Sequence, residues 1–186
     1  MGDTATNRYV GLLRGVNVGS GGPRVPMADL RRIVTGLGHT GVRTYLQSGN
    51  VVFDSVEQDT GRLAGQLGAA LADQLGVDVP VLVRTGAELA TVADGNPYAG
   101  AEDDPTRLLV AFLSVAPDPA RVTALRVPAG DPARFTVVGR EIYLHHPDGY
   151  GRTKFHNASL EKQLGVASTT RNWKSVRALA ELAAAD

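Results

Sequence analysis

The segment VRTYLQSGNVVF, residues 42–53, decides how this chain folds. Residues 42–46 and 51–53 are short runs rich in β-branched and aromatic side chains, which read as strands. Gln47-Ser48-Gly49-Asn50 between them is turn chemistry, because glycine and asparagine tolerate positive φ. Helical spacing flanks this hairpin on both sides. Upstream, Met27, Leu30, Val34 and Leu37 share one helical face, with Pro26 suited to the first turn and Gly38 to the stop. Downstream, Leu63, Leu67, Leu71 and Leu75 recur every four residues and predict a helix over 60–75 that Gly76 ends. Residues 9–13 predict a strand before the first helix, and residues 77–83 a strand after the second.

The resulting order, βαββαβ, is the ferredoxin-like arrangement. It recurs further along. Residues 108–115 predict a strand and 119–125 a short helix. Residues 135–138 and 142–144 predict a hairpin turned at Gly139-Arg140. Residues 153–164 predict a helix, and 166–168 a short fourth strand. A last helix is expected over 171–184 with Thr170 as its N-cap. The expectation is therefore an α+β protein of two ferredoxin-like subdomains, residues 1–93 and 94–186. The second is degenerate and carries an extra C-terminal helix. A single continuous sheet is the alternative.

Composition excludes several function classes. The chain has 186 residues with 19 basic and 19 acidic side chains, so no overall field draws it to duplex DNA. It has no cysteine, which removes disulfides, iron–sulfur clusters, thiolate zinc sites and a cysteine nucleophile. No stretch approaches the roughly 18 apolar residues of a membrane helix. Arginine far outnumbers lysine and alanine and glycine abound, the usage of a GC-rich bacterial genome, so a bacterial cytoplasmic protein is the default. His39, His145, His146 and His156 show no metal-ligand spacing and read as satisfied or solvated. No metal or cofactor is expected, and no motif names a reaction.

Topology supplies one geometric inference. In a βαββαβ unit the first and second strands are parallel with the third between them. The turns leaving those two strands therefore emerge at one edge. Arg14, Asn17 and the glycine-dense loop at 15–22 should then lie beside Gln47, Ser48 and Asn50. A guanidinium, three amides, a hydroxyl and free backbone N–H groups on one rim suit a small anionic or polar ligand such as a nucleotide or phosphorylated metabolite. The competing reading is that Asn17 and Asn50 only cap turns. The glycine loop lacks both the Walker lysine and the third glycine of a dinucleotide fingerprint. Three further candidates lie in the second half: Lys154 after Gly149-Tyr150-Gly151, and Arg171 with Asn172 at the expected helix start.

The stretches YVGLLRGVNVG (residues 9–19), VPM (25–27), TYLQSGNVVF (44–53), NP (96–97) and TRNW (170–173) together resemble the bacterial family of unknown function called DUF1697. The resemblance covers nearly the whole chain. It implies an α+β fold with ferredoxin-like subdomains and no established activity. Arg14, Gly15, Asn17, Gly19, Gln47, Ser48, Gly49, Asn50, Arg171, Asn172 and Trp173 match the family's motifs, and the segment ending at Lys154 matches more loosely.

Ligand binding at the rim is the leading expectation. One alternative is an enzyme that uses Lys154 or a carboxylate of the second half as acid or base. Others are an RNA-binding module, against which the absence of an RNP1 pattern counts, and a homodimer formed through a sheet face.

Overall fold

The computed structural model describes residues 6–184. The described residues divide into two compact units, 6–91 with 179–184, and 92–178. Both are mixed α+β, and each is built on one four-stranded antiparallel sheet.

The first unit begins with β1 (Asn7–Leu13), α1 (Met27–Gly36), β2 (Thr40–Tyr45), β3 (Asn50–Ser55), α2 (Thr60–Leu75) and β4 (Val81–Thr85), and its sheet order is β2-β3-β1-β4. Strand alternation turns Tyr9, Leu13, Val51, Phe53 and Val83 towards the helices. There they meet Leu30, Ile33 and Val34 of α1 and the fully buried Leu63, Leu67 and Leu71 of α2. The every-fourth-residue leucines thus form the buried stripe of α2, each contributing about 2 kcal/mol of burial. Asp59 caps that helix by accepting the Gly61 and Arg62 amides, and Gly76 ends it at φ +65°.

The second sheet is formed by β5 (Leu108–Leu113), β6 (Arg134–Val138), β7 (Glu141–His145) and β8 (Ser168–Asn172), in the order β6-β7-β5-β8. Helix α4 (Pro119–Ala124) precedes β6 and helix α5 (Asn157–Leu164) precedes β8; Leu160 and Leu164 of α5 share the core with Leu125, just after α4, and Phe155, just before α5. At the β6–β7 turn, Gly139 takes φ +59° and Arg140 does not take a positive φ, as a type II′ turn requires.

Element order and register repeat between the units. Val10 on β1 faces Arg84 on β4, and Val110 on β5 faces Arg171 on β8. Both arginines are buried.

Four expectations need correction. The C-terminal helix α6 (Trp173–Ala184) does not begin at Arg171. Residues 168–172 pair with β5 instead, because β-branched Thr169 and Thr170 suit a strand. The cap is then Asn172, whose Oδ1 accepts the Ser175 amide at 2.8 Å, rather than Thr170. Helix α5 begins at Asn157 and leaves Lys154 in an irregular segment. Strand β4 starts at Val81, later than the apolar run at 77–83 suggested. Finally, the extra helix does not distinguish the second half. Helix α3 (Gly86–Asp94) follows β4 as α6 follows β8. Thr85 and Glu88 open α3 with reciprocal bonds, Thr85 N–H to the Glu88 carboxylate at 2.8 Å and Glu88 N–H to the Thr85 hydroxyl at 3.1 Å.

Candidate functional site

Strand β3 lies antiparallel between β1 and β2, so the turns leaving β1 and β2 do share one edge. The Leu13 N–H donates to the Gly49 carbonyl at 2.8 Å. Asn17 Nδ2 donates to the Val25 carbonyl at 2.8 Å and to the Gln47 carbonyl at 2.7 Å, while its Oδ1 accepts the Val25 amide at 2.9 Å. Asn17 adopts φ +58°, which asparagine tolerates. Gly49 fills a position closed to any side chain: at φ +76°, a Cβ would lie 2.6 Å from Val16 Cγ2 and 2.7 Å from Leu13 Cβ.

The structure therefore brings Arg14, Asn17, Gln47, Ser48 and Asn50 to one rim, but it spends the amides on the rim itself. Asn50 is fully buried, and its Nδ2 donates to the Tyr45 carbonyl and the Ser48 hydroxyl, each at 2.9 Å. Both donor hydrogens of Asn17 and both of Asn50 are used within the protein. Their place is that of turn clamps. Gln47 is exposed, and Arg14 and Ser48 are half-buried.

The other three candidates lie in the second unit and do not form one group. The Arg171 guanidinium, on β8, donates to the Thr169 hydroxyl at 2.7 Å and the Thr170 carbonyl at 3.0 Å; burial lowers its pKa to about 10. Asn172 is the cap of α6.

Lys154 leads to a different place. It lines a cavity of about 120 Å3 together with Asp131, His146, Asp148, Arg152 and Thr153. His146 follows β7 and is 2% exposed, and neither of its ring nitrogens has a hydrogen-bond partner. Its backbone is fixed, since its N–H donates to the Arg107 carbonyl at 2.8 Å and its carbonyl accepts the Gly149 amide at 2.9 Å. The Tyr150 ring stands edge-on to it at 5.3 Å. Burial pushes the imidazole pKa down to about 4; Asp131 opposes that shift and His145 adds to it. At neutral pH the ring is uncharged, with one N–H to donate and one bare nitrogen to accept.

Asp131 makes no bond to the ring. Its carboxylate already accepts the Thr153 hydroxyl at 2.6 Å, the Lys154 amide at 2.8 Å and the Ala133 amide at 3.0 Å. Burial raises its pKa, but those three donors and the nearby His146 outweigh burial and hold it below the usual carboxylate value. By contrast, among the described residues neither the exposed Arg152 guanidinium nor the exposed Lys154 ammonium has a hydrogen bond or ion pair. The cavity thus combines two uncommitted cations, one carboxylate that accepts three bonds and one buried imidazole whose ring nitrogens are unpaired.

The expectation that the histidines are satisfied or solvated therefore fails at His146, which is neither, and at His39, which is buried with Nε2 unpaired. Sequence reasoning passed over His146, Asp131 and Arg152. The signal for Asp131 was the Gly130-Asp131-Pro132 turn, and nothing local separates His146 from its neighbour. His145 is the satisfied one, with Nε2 2.8 Å from Glu102 Oε2. Among the described residues no three His, Asp or Glu converge so as to hold a metal, and no helix is long and apolar enough to cross a membrane.

The profile of the family described as "Protein of unknown function (DUF1697)" matches residues 6–143. No curated protein matches the chain. Among solved structures, the conserved bacterial protein SP0830 from Streptococcus pneumoniae is 25% identical with a TM-score of 0.74, over 96% of this chain and 99% of that one.

Proposed function

Since the chain belongs to DUF1697, a family of proteins of unknown function, and inherits no activity from it, we propose from its own geometry that it binds a small anionic ligand in the cavity beside His146. The observation that carries this reading is the cavity lined by Asp131, His146, Arg152 and Lys154, whose two cations have no hydrogen bond or ion pair among the described residues. The two cations supply the sign of the charge. The rim at Arg14 and Gln47 then serves as a rigid structural corner, since its asparagines have no donor left to offer. Asp131, held ionised by its three donors, is a clasp for the segment at 153–154 and not a general base.

Each half, residues 1–93 and 94–186, is in this reading one ferredoxin-like repeat. The shared strand order and the matched registers of Val10 with Arg84 and Val110 with Arg171 support it.

Calorimetric titration of the protein with inorganic phosphate tests the site. We expect saturable binding that weakens at least about fivefold in Lys154→Ala and in Arg152→Ala, the loss of one charge-assisted bond each. Binding that is undiminished in both variants would place the ligand elsewhere.

A further inference from the structure

Asp148 restricts the ligand more narrowly than the two cations do. It lines the same cavity as Arg152 and Lys154, and among the described residues its exposed carboxylate has no hydrogen bond or ion pair. Asp148 and Arg152 also line an adjoining hollow, where Arg107 is already paired with Asp104 at 3.4 Å. The uncommitted charges around both hollows are therefore Asp148, Arg152 and Lys154. With His146 uncharged at neutral pH, the charged side chains of the cavity sum to zero, Asp131 and Asp148 against Arg152 and Lys154. A bare phosphate dianion gains from the two cations and is repelled by the two carboxylates. An ammonium on the same ligand turns one of those repulsions into an attraction. The cavity, about 120 Å3, is of the scale of a few water molecules, so the ligand is small.

We propose that the ligand is a small zwitterion of the aminoalkyl phosphate class, its phosphate facing Arg152 and Lys154 and its ammonium facing Asp148. This rests on the reading that an anion occupies the cavity. Two cations suit a doubly charged phosphate better than a singly charged carboxylate. The ammonium takes Asp148 rather than Asp131, whose oxygens are engaged by the Thr153 hydroxyl and the Ala133 and Lys154 amides. His146, with both ring nitrogens buried, supplies wall and no bond. A ligand without the ammonium loses the charge-assisted bond and leaves the Asp148 carboxylate facing the phosphate's own charge.

Calorimetry with ethanolamine phosphate and ethyl phosphate at pH 7.5 separates the claims, because the two share the phosphate and differ in the ammonium. The expected result is about fivefold or tighter binding of ethanolamine phosphate. In Asp148→Ser that preference should fall below about twofold, and ethyl phosphate should bind at least as tightly as in the parent protein, because one repelling charge is gone. Asp148 is exposed and makes no bond within the protein, so the variant should fold. Equal affinities in the parent protein would overturn the zwitterion assignment and leave the anion site standing. A preference that persists in Asp148→Ser would overturn the role of Asp148. Failure of both esters to bind would overturn the anion site itself.

Discussion

Asn17 on the loop after β1 donates its side-chain amide to the Gln47 carbonyl in the β2–β3 turn at 2.7 Å. This bond, with two more to Val25, ties two turns that are distant in sequence. Asn17→Ala removes all three and leaves a residue with a Cβ at φ +58°. It should cost about 2–4 kcal/mol in urea unfolding, and Asn17→Gly less, because glycine accepts the backbone conformation. A loss below about 0.5 kcal/mol for alanine would mean that the rim is held by other bonds.

Leu46, in the same turn, takes φ +56° and is 55% exposed. A leucine gains little from burial there and carries the left-handed penalty of about 1–2 kcal/mol. Leu46→Asn should raise stability by about 0.5–1 kcal/mol, because asparagine tolerates that conformation. The urea midpoint would move up with an unchanged slope. A lower midpoint would show that the exposed leucine makes contacts of value.

The depressed pKa of His146 gives a pH dependence with a definite sign. The ordinary value is 6.5 and burial lowers it to about 4 in the folded protein. A group depressed on folding adds stability above its unfolded pKa. That stability is lost as pH falls from 6.5 towards 4, because the unfolded chain takes up a proton that the native one refuses. His39 is also lowered by burial and contributes with the same sign. The measurement is therefore the difference between the protein and His146→Phe: the parent should lose stability relative to the variant between pH 7 and 5. Parallel curves would contradict it.

Much of the fold was legible because periodicity reports burial. Leucines at every fourth position gave α2, and the glycine–asparagine turn gave the β2–β3 hairpin. Helix α3 escaped although it opens with Thr85 followed by Glu88, a capping pair, because Leu89 and Val92 are its only large apolar residues and mark no period. Residues 170–173 misled for the opposite reason: a threonine before a tryptophan-led apolar face looks like a cap, and only strand pairing moves the helix start beyond Asn172. The site was less legible. Asn17 and Asn50 stand where topology put them, yet whether an amide faces a ligand or a neighbouring carbonyl depends on distances of an ångström. His145 and His146 are adjacent in sequence, one bonded to Glu102 and the other to nothing, and only coordinates separate them.

The central claim is that a small anion binds at Arg152 and Lys154 in the cavity that His146 lines. Nitrogen-15 NMR of the imidazole during titration with inorganic phosphate reads this most directly. The account predicts a saturable shift of both His146 ring resonances, abolished in the Arg152→Ala, Lys154→Ala double variant. Ring resonances that stay fixed while phosphate rises to tens of millimolar, well above a weak-site dissociation constant of about 1 mM, would contradict it.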